Sequence, residues 1–437
     1  MRKKAIGIQH FIQHEAFSSI FLLVCAILAI LWANSSFNET YFNILNTRFG
    51  LEYNGQEMAM PLIHWINDGL MSIFFFVIGL EIKREIMAGQ LSSVKKATLP
   101  VIAALGGIVI PIAIFTIMNH GRPGSEGWGI PMATDIAFSL GILTLLGKRV
   151  PIALKVFLTA FAIFDDICAV VVIAIFYSTT LHWHFLLIAI LLLALLFLLN
   201  RAKLYNGTVF LLVGIVIWFL FFEAGVHPTI AGVLIAFTIP ANKKMIMNEF
   251  LISMKNMVYS KKIEENIGEH KFLCHEEIRY LEKVNGLTHD AMPTCQQLEK
   301  NLHGFVSYLI MPIFALANAG VIIWGGNQLE SGGFNYFSMN IATSLVLGKV
   351  IGITGFTYLA VKFGLAELPK SIKMKHIFGL SFLGGFGFTM SLFINNLSIS
   401  DNLLEDSAKL GILAGSLVAA VLGYTILKMM LPAPSKQ

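Results

Sequence analysis

The sequence predicts an all-α polytopic membrane protein of about twelve transmembrane helices, on three observations. Of its 437 residues, 56% are hydrophobic and only 13% charged, where soluble domains carry about 25% charged residues. The apolar residues gather into long runs, most of them close to the roughly 20 residues a helix needs to cross the hydrocarbon. Basic residues cluster in every second connection between those runs, the pattern that sets orientation in a bilayer.

In chain order the runs are residues 17–33, 62–81, 98–118, 129–146, 152–177, 181–199, 208–222, 226–239, 305–324, 339–362, 377–397 and 408–430. The first follows Arg2, Lys3 and Lys4 as a signal peptide would, but its length and the polytopic chain behind it predict an uncleaved span. Lys83, Arg84, Lys95 and Lys96 follow the second run, Lys148 and Arg149 the fourth, and Arg201 and Lys203 the sixth. Nine basic residues follow the eighth run, and Lys370, Lys373 and Lys375 follow the tenth, while the other connections carry only Arg48 and Arg122. This alternation places both termini in the cytoplasm. The net charge of +5 says less than this distribution does. The four cysteines, Cys25, Cys168, Cys274 and Cys295, have no CxxC pairing, so no disulfide framework is expected.

Two soluble pieces interrupt a single transmembrane domain that takes in all of residues 1–437. In residues 45–61, two alternating stretches flank Asn54-Gly55, whose type I′ turn preference predicts a β-hairpin; the charge pattern puts it on the outer, periplasmic side. Residues 241–302 form a cytoplasmic insertion with a charged helical stretch near His275–Lys283. Its Cys274, Cys295, His270 and His289 lack the short ligand spacing of a zinc site.

The fourth and eleventh runs read as broken helices. The fourth opens Gly129-Ile130-Pro131-Met132-Ala133-Thr134-Asp135, and the eleventh carries Gly384-Gly385-Phe386-Gly387-Phe388-Thr389. Interrupted segments in corresponding positions of two halves point to a transporter's binding site. Unwound backbone survives at that depth only where it lines a cavity or is buried in protein.

Four charges lie at mid-membrane depth: Asp135, the neighbours Asp165 and Asp166, and Lys349. One acid at a helix centre costs roughly 2.5–3.5 kcal/mol on insertion scales, so two in a row need a reason. Three acids and one lysine leave a net negative interior suited to a small cation. Asp165 and Asp166 diverge by about 100° on a helix, so they have different tasks. The split open to them is an ion ligand and a partner for Lys349, which is too deep to reach water easily.

At these residues the chain closely resembles the NhaA family of bacterial sodium/proton antiporters. The resemblance runs over nearly its whole length: Trp65-Ile66-Asn67-Asp68, Gly79-Leu80-Glu81-Ile82-Lys83-Arg84-Glu85, Ala133-Thr134-Asp135-Ile136-Ala137-Phe138, Asp165-Asp166, Gly225-Val226-His227, Phe314-Ala315-Leu316-Ala317-Asn318-Ala319-Gly320, Gly348-Lys349 and Gly387-Phe388-Thr389-Met390-Ser391. It implies inverted repeats whose two broken helices cross at mid-membrane. It implies that Asp166 is the main sodium ligand and proton carrier, with Asp165 beside it paired to Lys349. By the same resemblance, Thr134 and Asp135 sit at the crossing, where Asp135 offsets helix N-termini and Lys349 the C-termini. A pH-responsive cytoplasmic cluster is implied for Glu81, Arg84, Glu85, Glu299 and His303, with His227 at the far end of the eighth span. Cys168 stands where family members usually have glycine, and the insertion before Glu299 is long.

The expected function is therefore exchange of cytoplasmic sodium or lithium for external protons across a bacterial inner membrane, regulating internal pH and sodium. No enzymatic activity, organic cofactor or nucleic-acid partner is expected. A gated cation channel would need filter loops or charge rings, and neither is visible; an antiporter for potassium or an organic substrate is the other rival. An isolated hairpin is marginal in water, so the 45–61 hairpin is expected to pair with a second copy in a homodimer, as the resemblance also implies. The wider resemblance implies that related electroneutral antiporters carry Asn before the ion-binding acid, so Asp165 there implies electrogenic exchange.

Overall fold

The computed structural model describes residues 15–53, 56–178, 181–202, 204–241, 245–258, 275–323 and 334–431. Its helices are α1 (Glu15–Ala33), α2 (Asn38–Asn46), α3 (Leu62–Ala88), α4 (Val94–Met118), α5 (Ile136–Leu145), α6 (Ile152–Phe176), α7 (Trp183–Arg201), α8 (Gly207–Glu223), α9 (Pro228–Thr238), α10 (Met247–Val258), α11 (His275–Ala291), α12 (residues 294–318), α13 (Tyr336–Lys362), α14 (Met374–Gly384), α15 (Phe388–Ser398) and α16 (Asn402–Met430). Among the described residues, seven helices are long and apolar enough to cross a membrane, or up to nine if each of two bent pairs is one span. Large apolar side chains such as Ile117 on α4, Leu191 on α7 and Leu211 on α8 point outward, 75%, 68% and 63% exposed. Soluble proteins rarely expose apolar surface on this scale. The chain is an all-α, multi-pass membrane protein whose outer surface faces lipid.

Lipid offers helices no hydrophobic reason to associate, so close approach at small residues does that work. Among the described residues, the most extensive helix–helix packing joins α4 to α13 and α3 to α9. In the first, a Cβ on Gly106 would strike the Gly352 carbonyl, and one on Gly352 the Gly106 carbonyl. Only glycine lets these two backbones meet.

Two helices are interrupted where the sequence predicts it. A 3₁₀ segment, Ser125–Met132, contains Pro131 and ends in extended backbone at Ala133 and Asp135 before α5 begins. Proline removes a donor and crowds the preceding turn, and the Asp135 side chain then caps the new helix. The second break, residues 385–387, bends α14 from α15 by 46°. Gly387 is packed so closely that a Cβ would lie 3.0 Å from the Ala133 carbonyl of the first break, so the two interruptions touch.

Among the described residues, three π-helical turns also occur, at Trp65–Leu70 in α3, Val306–Ile310 in α12 and Ser344–Gly348 in α13. Such turns are frequent at functional sites. Asn67 and Asp68 lie inside the first, and Lys349 follows the third directly.

Strands β1 (Arg48–Tyr53) and β2 (Gln56–Pro61) pair antiparallel, from Arg48 opposite Pro61 to Tyr53 opposite Gln56. Trp65 at the head of α3 donates its indole N–H to the Phe49 carbonyl, 2.8 Å, tying the hairpin to the bundle. The Asn54-Gly55 turn lies outside the described residues, as do Arg2, Lys3, Lys4, Lys203, His270, Cys274 and Trp324.

The ninth run departs from expectation. Its helix begins at Thr294 rather than Phe305 and stops at Asn318, with residues 321–323 in neither helix nor strand. The early turns are amphipathic, so an apolar run does not reveal them. They are held by Cys295, buried with its Sγ 3.6 Å from the Leu80 carbonyl.

Candidate cation site

Asp165 and Asp166 lie at the middle of α6, both buried, at 2% and 3% exposure. Their surroundings differ completely. Lys349, with no exposed surface, reaches across from α13 and places Nζ 3.1 and 3.0 Å from the two Asp165 oxygens. The same ammonium donates to Thr134 Oγ1 at 2.9 Å and lies 5.7 Å from the centre of the Phe161 ring. No hydrogen bond or ion pair from a described residue reaches Asp166, although the carboxylate one position before it holds the Lys349 ammonium. The 100° between successive helix positions has separated a partnered carboxylate from an unpartnered one.

The crossing of the two breaks holds Thr134 and Asp135. Thr134 Oγ1, which accepts from Lys349, donates to the Gly384 carbonyl at 2.9 Å. That carbonyl ends α14 and has no partner within its helix, so the lysine's charge is directed at a helix C-terminus. Asp135 serves the opposite ends. One oxygen accepts the Phe138 N–H at the start of α5, 3.1 Å; the other accepts the Thr389 hydroxyl and, at 3.4 Å, its N–H at the start of α15. One carboxylate thus faces two positive helix ends. The Asp135 N–H donates to the Phe386 carbonyl at 2.7 Å, Ser139 donates to the Leu383 carbonyl at 2.7 Å, and the Phe138 and Phe386 rings stack 4.0 Å apart.

A second cluster centres on Arg84 near the end of α3. Its Nε lies 3.1 Å from both Glu299 oxygens, Nη1 3.0 Å from Glu85 and Nη2 3.6 Å from Glu81. Glu299 sits on the amphipathic turns that precede the apolar part of α12, where burial pushes its carboxyl up and Arg84 pulls it back down. His303 is one turn further on and exposed. His227 is not part of this group. It sits at the residue before α9, at the other end of α3, with Nε2 3.9 Å from Asp68 and its ring against Phe393.

Some of the polar groups here escape a reading of the sequence. Thr389 lies within the glycine-rich run that signals the second break, yet its contact with Asp135 depends on which helices cross. Lys83, inside the charged motif, donates to the carbonyls of Phe237 and Ile239 and holds the end of α9. Asn67, Asn318 and Asn396 are joined by their side-chain amides. Asn67 and Asn318 belong to recognisable motifs, but nothing local signals that they meet.

Fold and site together define a multi-pass membrane protein with ionisable side chains buried at the crossing of two broken helices. Residues 9–427 match the family described as Na+/H+ antiporter 1. Relatives named Na(+)/H(+) antiporter NhaA include one from Bacteroides fragilis, 43% identical over 424 residues that make up 95% of this chain and 96% of its own. Another, from Bacteroides thetaiotaomicron, is 43% identical over 431 residues, 96% of each chain. A relative from Aliarcobacter butzleri is 40% identical over 427 residues, 98% of each chain. The chain belongs to the Na+/H+ antiporter 1 family.

Proposed function

We propose that the protein is a secondary transporter that exchanges cytoplasmic sodium, or lithium, for external protons across a bacterial inner membrane. The observation that carries this is the Asp166 carboxylate. It is buried at mid-membrane without a donor or cation partner among the described residues, one position from a carboxylate that has Lys349. A carboxylate can ligate sodium when ionised and hold a proton when neutral, so the two compete for one group. Asp165 and Thr134 anchor Lys349, and Asp135 balances the helix ends, so the crossing can carry the changing charge of Asp166. Twelve spans in inverted repeats, with both termini cytoplasmic, fit the two broken segments and the alternating loop charge. The Arg84 cluster, with Glu81, Glu85, Glu299 and His303, is the natural seat of a response to cytoplasmic pH, and His227 a candidate at the other face. The direct test is reconstitution in proteoliposomes with an imposed pH gradient. Sodium and lithium are expected to collapse the gradient and potassium to leave it intact. Collapse by potassium alone would overturn the reading, and currents far above transporter turnover would make the protein a channel.

Exchange is expected to be electrogenic, moving more proton charge inward than sodium charge outward. Asp165, Asp166 and Lys349 supply two carboxylates and a titratable amine per cycle, enough for two protons against one sodium. The surplus charge gains about 2.3 kcal/mol per 100 mV of membrane potential. Sodium uptake driven by an imposed potential at equal pH checks this. If exchange ignores the potential, Asp165 stays locked to Lys349 and takes no part in proton transfer.

The 45–61 hairpin is proposed to join two copies by strand addition, because a two-stranded sheet presents open edges. Deleting residues 49–58 is expected to give monomers that still transport. A deletion variant that remains dimeric in detergent excludes the hairpin as the contact.

A further inference from the structure

The amide cluster has no part in the exchange described so far. Asn67 Nδ2 donates to Asn318 Oδ1 at 3.2 Å, and Asn318 Nδ2 donates back to Asn67 Oδ1 at 2.8 Å. Asn318 also donates to the Phe314 carbonyl at 2.9 Å, so its amide is fully engaged. Asn396, from α15, donates to Asn318 Oδ1. Its own Oδ1 is buried and receives no donor from any described residue. A buried amide oxygen left in this state is costly unless something else satisfies it.

The character of the surroundings favours a cation. The atom left over is an acceptor. Asn318 is the last residue of α12, and Asn396 lies in the last turn of α15, so the carbonyl ends of two helices converge there with partial negative charge. Asp68 follows Asn67 within the π turn of α3, with its carboxylate 3.9 Å from His227, whose ring packs on Phe393. Hard cations take carbonyl and amide oxygens of this kind. Asn395 also has an Oδ1 without a donor, but its amide donates to the Glu405 carbonyl at 3.2 Å, toward α16.

The cluster also lies in line with the carboxylate site. Thr389, Phe393 and Asn396 occupy positions i, i+4 and i+7 of α15 and share one face. Thr389 touches Asp135, and Asn396 is about 10 Å further along the helix at 1.5 Å per residue. Between them the Phe393 ring packs against Phe75, His227 and Phe314, with centroids 5.3, 5.6 and 6.3 Å away. Asn67 is near the start of α3, and the Arg84 cluster is near its end, so the amides mark the opposite, outer side of the protein.

We propose that Asn396 Oδ1, held in place by Asn67 and Asn318, is a second binding position for the transported alkali cation, used between Asp166 and the outer face. This rests on the exchange reading above. The test is sodium-dependent exchange by the full chain in proteoliposomes, with sodium varied separately at each face, for the wild type, Asn396→Leu and Asn396→Ser. Asn396→Leu is expected to raise the KM for sodium at the outer face about five- to tenfold. The inner KM and the thermal midpoint should stay unchanged, and Asn396→Ser, which keeps an oxygen, should recover most of the loss. An unchanged outer KM overturns the proposal. So does an equal change at both faces, or a lowered thermal midpoint that serine does not restore, because each reduces Asn396 to a packing contact. A wild type without exchange would sink the reading beneath it instead, and the outer position is then judged by binding. The thermal midpoint of Asp166→Asn should still rise with sodium, and that rise should vanish in Asp166→Asn/Asn396→Leu. No rise in the first, or the same rise in both, overturns the outer position.

Discussion

Replacing Asp166 with asparagine should abolish sodium-driven exchange while leaving the protein folded. Asparagine keeps the shape of the side chain and an oxygen, but it can neither ionise to hold sodium tightly nor carry a proton. Because Asp166 makes no hydrogen bond or ion pair with a described residue, the change breaks no such contact among the described residues. Relieving a buried carboxylate of its charge also removes a desolvation cost. The expected outcome is loss of gradient collapse by sodium and lithium in proteoliposomes, with a thermal midpoint at or above that of the wild type. Exchange at the wild-type rate in Asp166→Asn would falsify the assignment of Asp166 as the shared carrier.

Removing Lys349 should have the largest effect on stability. Its ammonium lies 3.0 Å from Asp165 and 2.9 Å from Thr134 with no exposed surface, so Lys349→Ala strands a buried carboxylate as well as a void. Breaking one half of a buried ion pair typically costs about 3–5 kcal/mol. The orphaned carboxylate is the larger part of that cost, so Asp165→Asn in the same chain should restore most of the lost thermal midpoint, though not the packing of the lysine stem. A double variant no more stable than Lys349→Ala would show that the two residues are not energetically coupled. The combination matters for transport too. If the double variant recovers stability but loses its response to membrane potential, the pair takes part in proton movement; if exchange is untouched, the pair is a strut.

Much of this molecule is readable from residues in order. Long apolar runs, alternating loop charge, two carboxylates inside a span, Pro131 in one span and Gly384, Gly385 and Gly387 in another are local or compositional facts. Their consequences, a multi-pass helical fold and two interrupted helices, follow from what a bilayer permits the backbone. Helical geometry also requires Asp165 and Asp166 to point in different directions. Which neighbour fills each direction is a different kind of question. Lys349 is 184 positions from Asp165, Thr389 is 254 from Asp135, and Glu299 is 215 from Arg84. From the residues alone, either carboxylate could have met the lysine. The early start of α12 was hidden for the same reason: its polar turns are helical because they pack on α3 through Cys295 and Glu299, and local sequence does not record that surface. The three asparagines meet only because a π turn in α3, the end of α12 and the C-terminal half of α15 converge. Local propensity decides where helices begin and break; which side chains share a low-dielectric interior is decided by packing between helices far apart in the chain, and there an ionisable group's partners determine what it can do.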